Sequence, residues 1–342
     1  MAHVLRSRAP IRVDFAGGTT DLKAFRDREE GAVLNAAIAR YAYCSLRRRK
    51  EGVRIDAVDL RQYVVAPDIR AAERETSLDL LTRVMRRFGV DQGVHITVRT
   101  DAPPGSGTGS SASVGIALLG LLDRVSWGGG RNGTLRSRYE LAEIACGIET
   151  DLGIVGGKQD QYAAALGGFS FMRFSGDTVA VEHLELKPAL VAELEKHLLL
   201  CYTGQSRLSG DTNLKMISAW ERQEAQVATA MRRVRDVAWE MYRALLNEDL
   251  AAFAGLLNEE TAARLQLSPD VCTPQMKELM RAGRQAGALS SKICGAGGGG
   301  CLLFCAKPDR EARVRRALEG LGGIILDFNF DAGGLQVWEG RG

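Results

Sequence analysis

Histidine is scarce in this sequence of 342 residues, and this limits the kinds of catalytic site that it can hold. The four histidines are far apart along the chain: His3, His95, His183 and His197. So few and so widely spaced imidazoles do not favour a Ser-His-Asp hydrolase or a histidine-ligated metal site. Catalysis must therefore depend on carboxylates, cationic side chains and backbone amides.

The cysteines do not form a recognisable site either. Their number, seven, is odd, and no C-x-x-C pair occurs. The spacing typical of zinc and redox sites is therefore absent. Most of them lie in apolar or strand-like runs, which favours reduced, buried thiols in a cytoplasmic protein.

The sequence also lacks a strong net charge and a long apolar run. Its 45 basic and 42 acidic residues leave a net charge of +3, too small a surplus to predict a nucleic-acid binder. No run is apolar and long enough to span a membrane, and the N-terminus does not resemble a signal peptide. The basic stretch LRRRKEG, residues 46–52, has no interleaved aromatics and is predicted to be a solvated hairpin turn. We expect a cytoplasmic protein without a nucleic-acid or membrane partner.

The length and the changing residue pattern predict two domains. Residues 1–100 contain mainly β-type alternation, whereas the chain beyond about residue 196 is strongly helical between short strands. Runs of helix between strands are typical of an α+β protein. We place the domains at residues 1–195 and 196–342.

A glycine-rich loop leads into an apolar helix in DAPPGSGTGSSASVGIALLGLL, residues 101–122. It fits neither of the two common phosphate-loop patterns, because no Lys-Ser or Lys-Thr pair follows it and its glycines have the wrong spacing. Gly105, Gly107 and Gly109 would nevertheless let backbone amides approach an anion. Ser110 or Ser111 could cap the helix, whose N-terminus favours a phosphate. The loop therefore predicts a phosphate site.

Three stretches, in order, resemble the GHMP kinase family. The loop is similar to the family's nucleotide loop, APIRVDFAGGTTDL (residues 9–22) to its N-terminal substrate strand and turn, and SKICGAGGGGCLLF (residues 291–304) to its C-terminal glycine loop. The resemblance spans nearly the whole chain and implies ATP as cosubstrate. The residues that it implies for ATP binding are Pro104, Gly105, Ser106, Gly107, Thr108, Gly109, Ser110 and Ser111.

The resemblance also implies the fold and the substrate side of the site. The expected fold is α+β, with a ribosomal-protein-S5-like N-terminal domain, a ferredoxin-like C-terminal domain with inserted helices, and the active site between them. Arg12 corresponds to a cation near the transferred phosphoryl group, and Asp21 to a residue that holds sugar hydroxyls. Gly18 and Thr19 replace a glutamate and a histidine of galactokinases, which disfavours galactose. With Thr20, Gly297 and Gly298 they complete the turn and loop expected to contact substrate.

Two carboxylates in GIETDLGIVGGKQDQY, residues 147–162, are separated as in the mevalonate-kinase branch of the family. The resemblance implies that Glu149 ligates Mg²⁺ together with Ser110 or Ser111, and that Asp160 is the catalytic base. Lys158 could pair with Asp160 or with a substrate phosphate. Arg207, in TGQSRLSG, is a second candidate for a substrate phosphate, or else a solvated loop charge.

The string GGKQDQYAAALGGF most resembles the branch of heptose 7-phosphate kinases and, more distantly, the fucokinases, which act on an anomeric hydroxyl. We therefore expect an ATP-dependent sugar 1-kinase that acts on a sugar or sugar phosphate. The alternatives are a kinase for a free sugar such as fucose, and a non-catalytic sugar or nucleotide sensor of the same fold. The exact sugar, its anomer and the oligomeric state stay open, with a homodimer as one alternative.

Overall fold

Two β-sheets form the framework of the protein. The computed structural model describes residues 3–76, 78–125, 135–206 and 209–341. Within these residues the first sheet contains β1 (His3–Ala16), β2 (Gly31–Arg48), β3 (Val53–Ala57), β4 (Gln62–Ala66), β5 (Val94–Thr100), β6 (Phe169–Ser175), β7 (Thr178–Leu184) and β12 (Gln336–Arg341). The second sheet contains β8 (Leu198–Tyr202), β9 (Ala288–Ile293), β10 (Cys301–Ala306) and β11 (Ile324–Ile325).

The long strand β2 organises the first sheet. Its residues 31–36 pair with β6 and its residues 42–48 pair with β5, while β1 pairs along its other edge. The strand order is β12-β1-β2-β5-β3-β4, with β6 and β7 continuing from the first half of β2. All pairs are antiparallel except β3 with β5. The second sheet is antiparallel, in the order β11-β8-β10-β9.

Helices cover both sheets. In chain order they are α1 (Lys23–Arg26), α2 (Ile69–Glu75), α3 (Asp79–Arg87), α4 (Ser110–Val125), α5 (Arg138–Asp151), α6 (Gln159–Leu166), α7 (Pro188–His197), α8 (Ser209–Glu221), α9 (Ala225–Leu246), α10 (Leu250–Arg264), α11 (Pro274–Ala286) and α12 (Glu311–Glu319). A short 3₁₀ helix spans Pro269–Val271. No helix within the described residues is both long enough and apolar enough to cross a membrane.

The two sheets share a hydrophobic core. Helices α4 and α6 pack on β1 and β2, and α9 contacts the same two strands. Phe15 of the first sheet, Met241 of α9 and Leu303 of the second sheet belong to one buried cluster. Strand β12 returns from the end of the described chain to pair with β1. We propose to keep the division at residue 195, with residues 336–341 added to the first unit.

The basic stretch at residues 46–52 does not form the expected hairpin turn. Strand β2 ends at Arg48 and β3 begins at Val53, but β5 lies between them and pairs with both. A tight turn joins strands that are direct neighbours, and here a strand from later in the chain separates them. Arg47, Arg49 and Lys50 are exposed, as expected for a solvated connection.

All seven cysteines are buried and unpaired, as the sequence predicted. Burial raises the pKa of the Cys44 thiol to about 12. Burial likewise raises the pKa of the Cys305 thiol to about 11. These thiols therefore behave as small apolar side chains at neutral pH.

Gly120 of α4 tests how closely the C-terminal segment must pack on the first unit. A Cβ at Gly120 would lie 2.5 Å from a terminal methyl group of the buried Leu335. Gly120→Val should lower the free energy of unfolding by about 1–3 kcal/mol through overpacking, measured by urea denaturation. Gly147 of α5 has open space around it and is the control. Gly147→Ala should raise the stability by about 0.5–1 kcal/mol through helix propensity; equal effects of the two variants would contradict this packing.

Candidate active site

The glycine-rich loop has the backbone geometry of an anion site. Gly105, Gly107 and Gly109 have φ angles of +67°, +73° and +74°, in the left-handed region that glycine adopts without strain. Helix α4 begins at Ser110, directly after the third glycine. The first-turn amides of a helix have no partners within the helix and favour negative charge. The loop therefore has a backbone that could present amides to an anion, and phosphate binding at the loop stays a prediction.

The C-terminal glycine loop packs directly against this first loop. A Cβ at Gly107 would lie 2.8 Å from the carbonyl oxygen of Cys294, and a Cβ at Gly295 would lie 2.9 Å from the carbonyl oxygen of Gly107. The amide of Cys301 donates to the carbonyl of Ser106 at 2.8 Å. Only residues without a side chain allow so close an approach of the two backbones.

Arg12 of β1 joins the loop to α6. Its guanidinium donates to Asp160 Oδ1 from Nε at 2.9 Å and to the carbonyl of Gly107 from Nη1 at 2.6 Å. Its backbone amide donates to the carbonyl of Thr108 at 3.0 Å. Burial lowers the pKa of Arg12, but the carboxylates of Asp160 and Asp14 outweigh burial and hold that pKa above its usual value. The guanidinium therefore stays charged beside the loop.

Asp160 lies at the point where the loop, α6 and Arg12 meet. It is in the first turn of α6, and its Cγ lies 3.1 Å from the position of a Cβ at Gly109. Its side chain is 29% exposed, whereas that of Arg12 is 5% exposed. Asp160 is thus the accessible member of the ion pair.

Asp21 is buried close behind this pair. Its carboxylate accepts from the amides of Thr19 at 3.2 Å and Gln159 at 3.1 Å. Burial, together with the nearby Asp160, raises the pKa of Asp21, although these hydrogen bonds oppose the rise. A Cβ at Gly157 would lie 1.8 Å from Asp21 Oδ2, so only glycine fits where the two segments cross.

Glu149 lies in the last turn of α5 and faces the same region. Gln161 donates to its Oε2 at 2.8 Å. Burial and then the charge of Asp160 raise the pKa of Glu149 to about 7. A partly buried carboxyl beside another carboxylate favours a cation between them.

The predicted substrate turn, residues 17–21, is tightly held by its own polar groups. Thr19 has a φ of +88°. The Thr20 hydroxyl is fully buried and bonds the carbonyl of Gly17 at 2.7 Å. The hydroxyl of Thr20 is therefore hydrogen-bonded within the turn itself. Gly18 leaves no room for a side chain, because a Cβ there would lie 2.5 Å from Asp14 Oδ2.

The other residues that the sequence predicted to bind substrate are Lys158, Gly297, Gly298 and Arg207. The ammonium of Lys158 contacts Glu143 at 3.1 Å and the carbonyl of Asp177 at 3.0 Å; Asp160 is paired with Arg12 instead. In the C-terminal loop, the amide of Gly298 donates to the carbonyl of Val271 at 2.8 Å, and a Cβ at Gly297 would collide with the same carbonyl. Arg207 lies outside the described residues.

An apolar cavity of about 280 Å³ opens beside the loop, and the sequence did not predict its walls. Its lining includes Pro104, Gly105, Ser110 and Ser111 from the loop and the apolar residues Leu60, Leu78, Leu81, Val98 and Val114. A mostly apolar cavity beside a phosphate loop suits a flat heterocyclic base. Its walls come from strands and helices that are far apart in sequence, which no local pattern reveals.

A second cavity, of about 260 Å³, lies beside Glu149. Glu149, Gly156, Gly157 and Gln161 line it, and Ile217 of α8 contributes from the second unit. It reaches the segment that leads into Asp160. The two cavities therefore lie next to the glycine loop and next to Glu149, respectively.

Models of known families match both halves of the chain. The GHMP kinase N-terminal domain matches residues 75–168, and the GHMP kinase C-terminal domain matches residues 241–322. The D-glycero-alpha-D-manno-heptose 7-phosphate kinase of Campylobacter jejuni is 30% identical over 342 residues, which cover 98% of each chain. The chain belongs to the GHMP kinase family. The predicted α+β fold of this family is thereby confirmed, as is the activity of a phosphotransferase with an alcohol acceptor.

Two further relatives bear on the branch of the GHMP kinases. A D-glycero-D-manno-heptose 1-phosphate kinase from Bacteriodes thetaiotaomicron has 30% identity and a TM-score of 0.78, with 98% of both chains covered. The bifunctional fucokinase/GDP-fucose pyrophosphorylase of Arabidopsis thaliana is 26% identical over 91% of this chain and 30% of its own length. The chain is therefore a sugar kinase of the GHMP family, and ATP use follows from that family.

Gly107 tests the contact between the two glycine loops. In Gly107→Ala the new Cβ would meet the carbonyl of Cys294 at 2.8 Å, so the loops must separate and nucleotide affinity should fall at least tenfold, measured by titration calorimetry with a non-hydrolysable ATP analogue. Gly89 has a φ of +66° with no atom within 4 Å of a Cβ, which makes Gly89→Ala the matched control for backbone strain alone. Unchanged affinity in Gly107→Ala would show that the nucleotide phosphates bind elsewhere.

Proposed function

We propose that this protein transfers the γ-phosphoryl group of ATP to the anomeric hydroxyl of a sugar, most specifically D-glycero-D-manno-heptose 7-phosphate, giving the 1,7-bisphosphate. The observation that carries the proposal is the position of Asp160. Its partly exposed carboxylate lies between the glycine loop, Arg12 and the Asp21 turn. A hydroxyl bound against it would face phosphates held by the loop.

The nucleotide site follows from the loop and the first cavity. Residues 104–111 supply backbone amides and the N-terminus of α4 for the phosphates. The neighbouring apolar cavity is suited to the adenine ring. Because the C-terminal glycine loop packs on the first loop, residues 295–300 would lie close to the same phosphates.

The chemistry needs few groups beyond correct placement. Phosphoryl transfer depends mainly on alignment of the hydroxyl with the phosphate and on positive charge at the transferring oxygens. Asp160 orients the attacking hydroxyl or accepts its proton, and Arg12, held beside Asp160 and Gly107, provides the fixed positive charge. Asp21, with the turn it anchors, holds other hydroxyls of the sugar.

The donor set fits a magnesium ion. Glu149 and the hydroxyls of Ser110 or Ser111 are oxygen donors, the type that Mg²⁺ prefers. Burial, and then the charge of Asp160, raises the pKa of Glu149, and a cation bound beside it would favour its ionised form. No group of three or more His, Cys, Asp or Glu residues that could hold a metal occurs in the described chain. Mg²⁺ needs no such group when nucleotide phosphates supply further ligands. When bound, the ion would neutralise charge on the β- and γ-phosphates.

The sugar is proposed from the relatives that carry heptose names. A free-sugar kinase such as a fucokinase is the alternative within the class, since the Arabidopsis thaliana relative is named for fucose. A non-catalytic sensor is the alternative outside the class. A sensor has no need for a partly exposed carboxylate paired with a buried arginine beside the glycine loop. We also propose a cytoplasmic location and no nucleic-acid partner, in keeping with the low net charge, and leave a homodimer open.

The test is ADP release over a panel of heptose 7-phosphate, fucose, galactose and mannose. The proposal predicts the highest kcat/KM with heptose 7-phosphate. Efficient turnover of fucose with no turnover of the 7-phosphate would select the free-sugar alternative. Nucleotide binding without turnover of any sugar would select the sensor.

Asp160→Asn should separate catalysis from binding. Because its carboxylate is proposed to contact the reacting hydroxyl, kcat should fall by about 10²–10⁴-fold, while the Kd for nucleotide changes little. Asp151→Asn, at the exposed end of α5, is the control and should keep normal kinetics. A near-normal kcat in Asp160→Asn would exclude both proposed roles of this residue.

Glu149 predicts a pH dependence of Mg²⁺ binding. Burial, and then the charge of Asp160, raises the pKa of Glu149 in the folded protein from its ordinary value of 4.5 to about 7. The metal-free fold therefore gains stability from its protonated form below about pH 4.5, and this contribution is lost as the pH rises through 7. Mg²⁺ needs the ionised form, so its affinity should rise about tenfold per pH unit up to 7.

Calorimetric titrations of Mg²⁺ with a non-hydrolysable ATP analogue at pH 5.5, 6.5 and 7.5 measure this dependence. Glu149→Gln is the matched comparison, because only the titration of the nucleotide remains in that variant. The difference in slope between the two proteins is the contribution of Glu149. Identical slopes would remove Glu149 from the metal site.

A further inference from the structure

Four charged side chains are fully buried beneath the site, and neither the sequence nor the chemistry above uses them. They are Asp14 of β1, Glu260 and Arg264 of α10, and Lys292 of β9. Lys292 Nζ lies 2.9 Å from Asp14 Oδ2 and 3.8 Å from Glu260 Oε1. Charges removed from water are costly unless they are paired and hydrogen-bonded. The cluster therefore needs a role that explains its burial.

Arg264 is the member whose contacts reach the site. A guanidinium has five N–H donors. In Arg264, Nε and one Nη2 donor bond Glu260 Oε1, at 2.9 and 2.6 Å. Two further donors bond the carbonyl of Gly18 at 2.8 Å and the hydroxyl of Thr19 at 3.1 Å. The last bonds the carbonyl of Gly295 at 3.0 Å.

These contacts hold a strained turn. Thr19 has a φ of +88°, which is unfavourable for a β-branched residue and persists only where the surroundings enforce it. Arg264 donates hydrogen bonds both to the carbonyl of Gly18, which belongs to the peptide bond before Thr19, and to the side chain of Thr19. The same turn supplies the amide that binds Asp21.

Arg264 also fixes the polarity of the Thr19 hydroxyl. Because a guanidinium only donates, the Thr19 oxygen must accept from it. The hydroxyl proton is then available to donate elsewhere, and it has no other partner within the described part of the chain. An oxygen atom of a bound sugar could accept this hydrogen bond from the Thr19 hydroxyl.

The same guanidinium ties the turn to the C-terminal glycine loop. Gly295 accepts from Arg264 and donates to Asp14 Oδ1 at 3.3 Å, and it packs against Gly107 of the nucleotide loop. The sugar turn and both glycine loops thus share one chain of contacts.

We propose that Arg264 is a positioning residue for the sugar: it holds the Thr19 turn in its strained shape, directs the Thr19 hydroxyl proton toward substrate, and couples this turn to the loop at Gly295. This inference rests on the proposed sugar-kinase function. Lysine cannot replace Arg264, because donors on a single nitrogen atom cannot span acceptors on two loops.

Steady-state kinetics of Arg264→Lys test this role. The KM for the sugar should rise on the order of tenfold, the effect of losing a hydrogen bond to a charged group, with a smaller change in the Kd for nucleotide. Thr19→Val should also raise the KM, and the double variant should show less than the product of the two single effects, because both act through one contact. Arg136→Lys, in an ion pair with the buried Asp123, is the control and should keep a normal KM. Multiplicative effects, or a KM that follows thermal stability across the variants, would overturn the proposal.

Hydrogen exchange tests the same inference without any substrate. In Arg264→Lys the amides of residues 17–22 should exchange at least tenfold faster, while those of α4 stay protected. Unchanged protection of residues 17–22 would overturn the positioning role whatever the kinetics show. A wild-type protein that phosphorylates no sugar would instead refute the proposed function, and the exchange result would still decide whether Arg264 holds the turn.

Discussion

One buried guanidinium, that of Arg12, sets the geometry on which the rest of the site depends. A charge in this position must be paired, and its partners come from two separate segments, Asp160 of α6 and the carbonyl of Gly107 in the glycine loop. Strand β1, the loop and α6 must therefore meet at one point. This meeting leaves the Asp160 carboxylate partly exposed beside the glycine loop, where we propose that the attacking hydroxyl binds.

A second constraint is the approach of two backbones. The first glycine loop, which contains Gly107, and the C-terminal glycine loop touch through Gly107 and Gly295, where a side chain on either would collide with the backbone of the other loop. Beneath them, Arg264 donates to the carbonyl of Gly295, and Lys292 forms a buried ion pair with Asp14 of β1. The glycines thus allow the two loops to approach closely, and the buried ion pairs fix the segments next to them in place. The site is consequently a property of both units, which share one core.

The local parts of this architecture could be predicted from the sequence, whereas most of the long-range parts could not. Alternating glycines before an apolar run predicted a tight glycine loop followed by the helix α4, since backbone freedom is a local property. The helix begins at Ser110, so Ser110 and Ser111 lie in its first turn instead of capping it as expected. The pairing of Arg12 with Asp160 spans 148 residues and was not predicted, because the resemblance implied a role for each residue separately and the sequence suggested Lys158 as a partner of Asp160. No local sequence pattern predicts that Lys292 pairs with Asp14, which is 278 residues away. The hairpin expected at residues 46–52 failed for the same reason, because β5 enters between its two strands from later in the chain.

The central claim is that this arrangement delivers a phosphoryl group to the anomeric oxygen of a sugar. The most direct measurement is ³¹P NMR of the product formed from ATP and heptose 7-phosphate by the wild-type protein. We expect a new phosphomonoester signal whose phosphorus couples to the anomeric proton, in an amount that matches the ADP formed. A new phosphomonoester coupled to any other position of the sugar, or ADP accompanied only by inorganic phosphate, would contradict it.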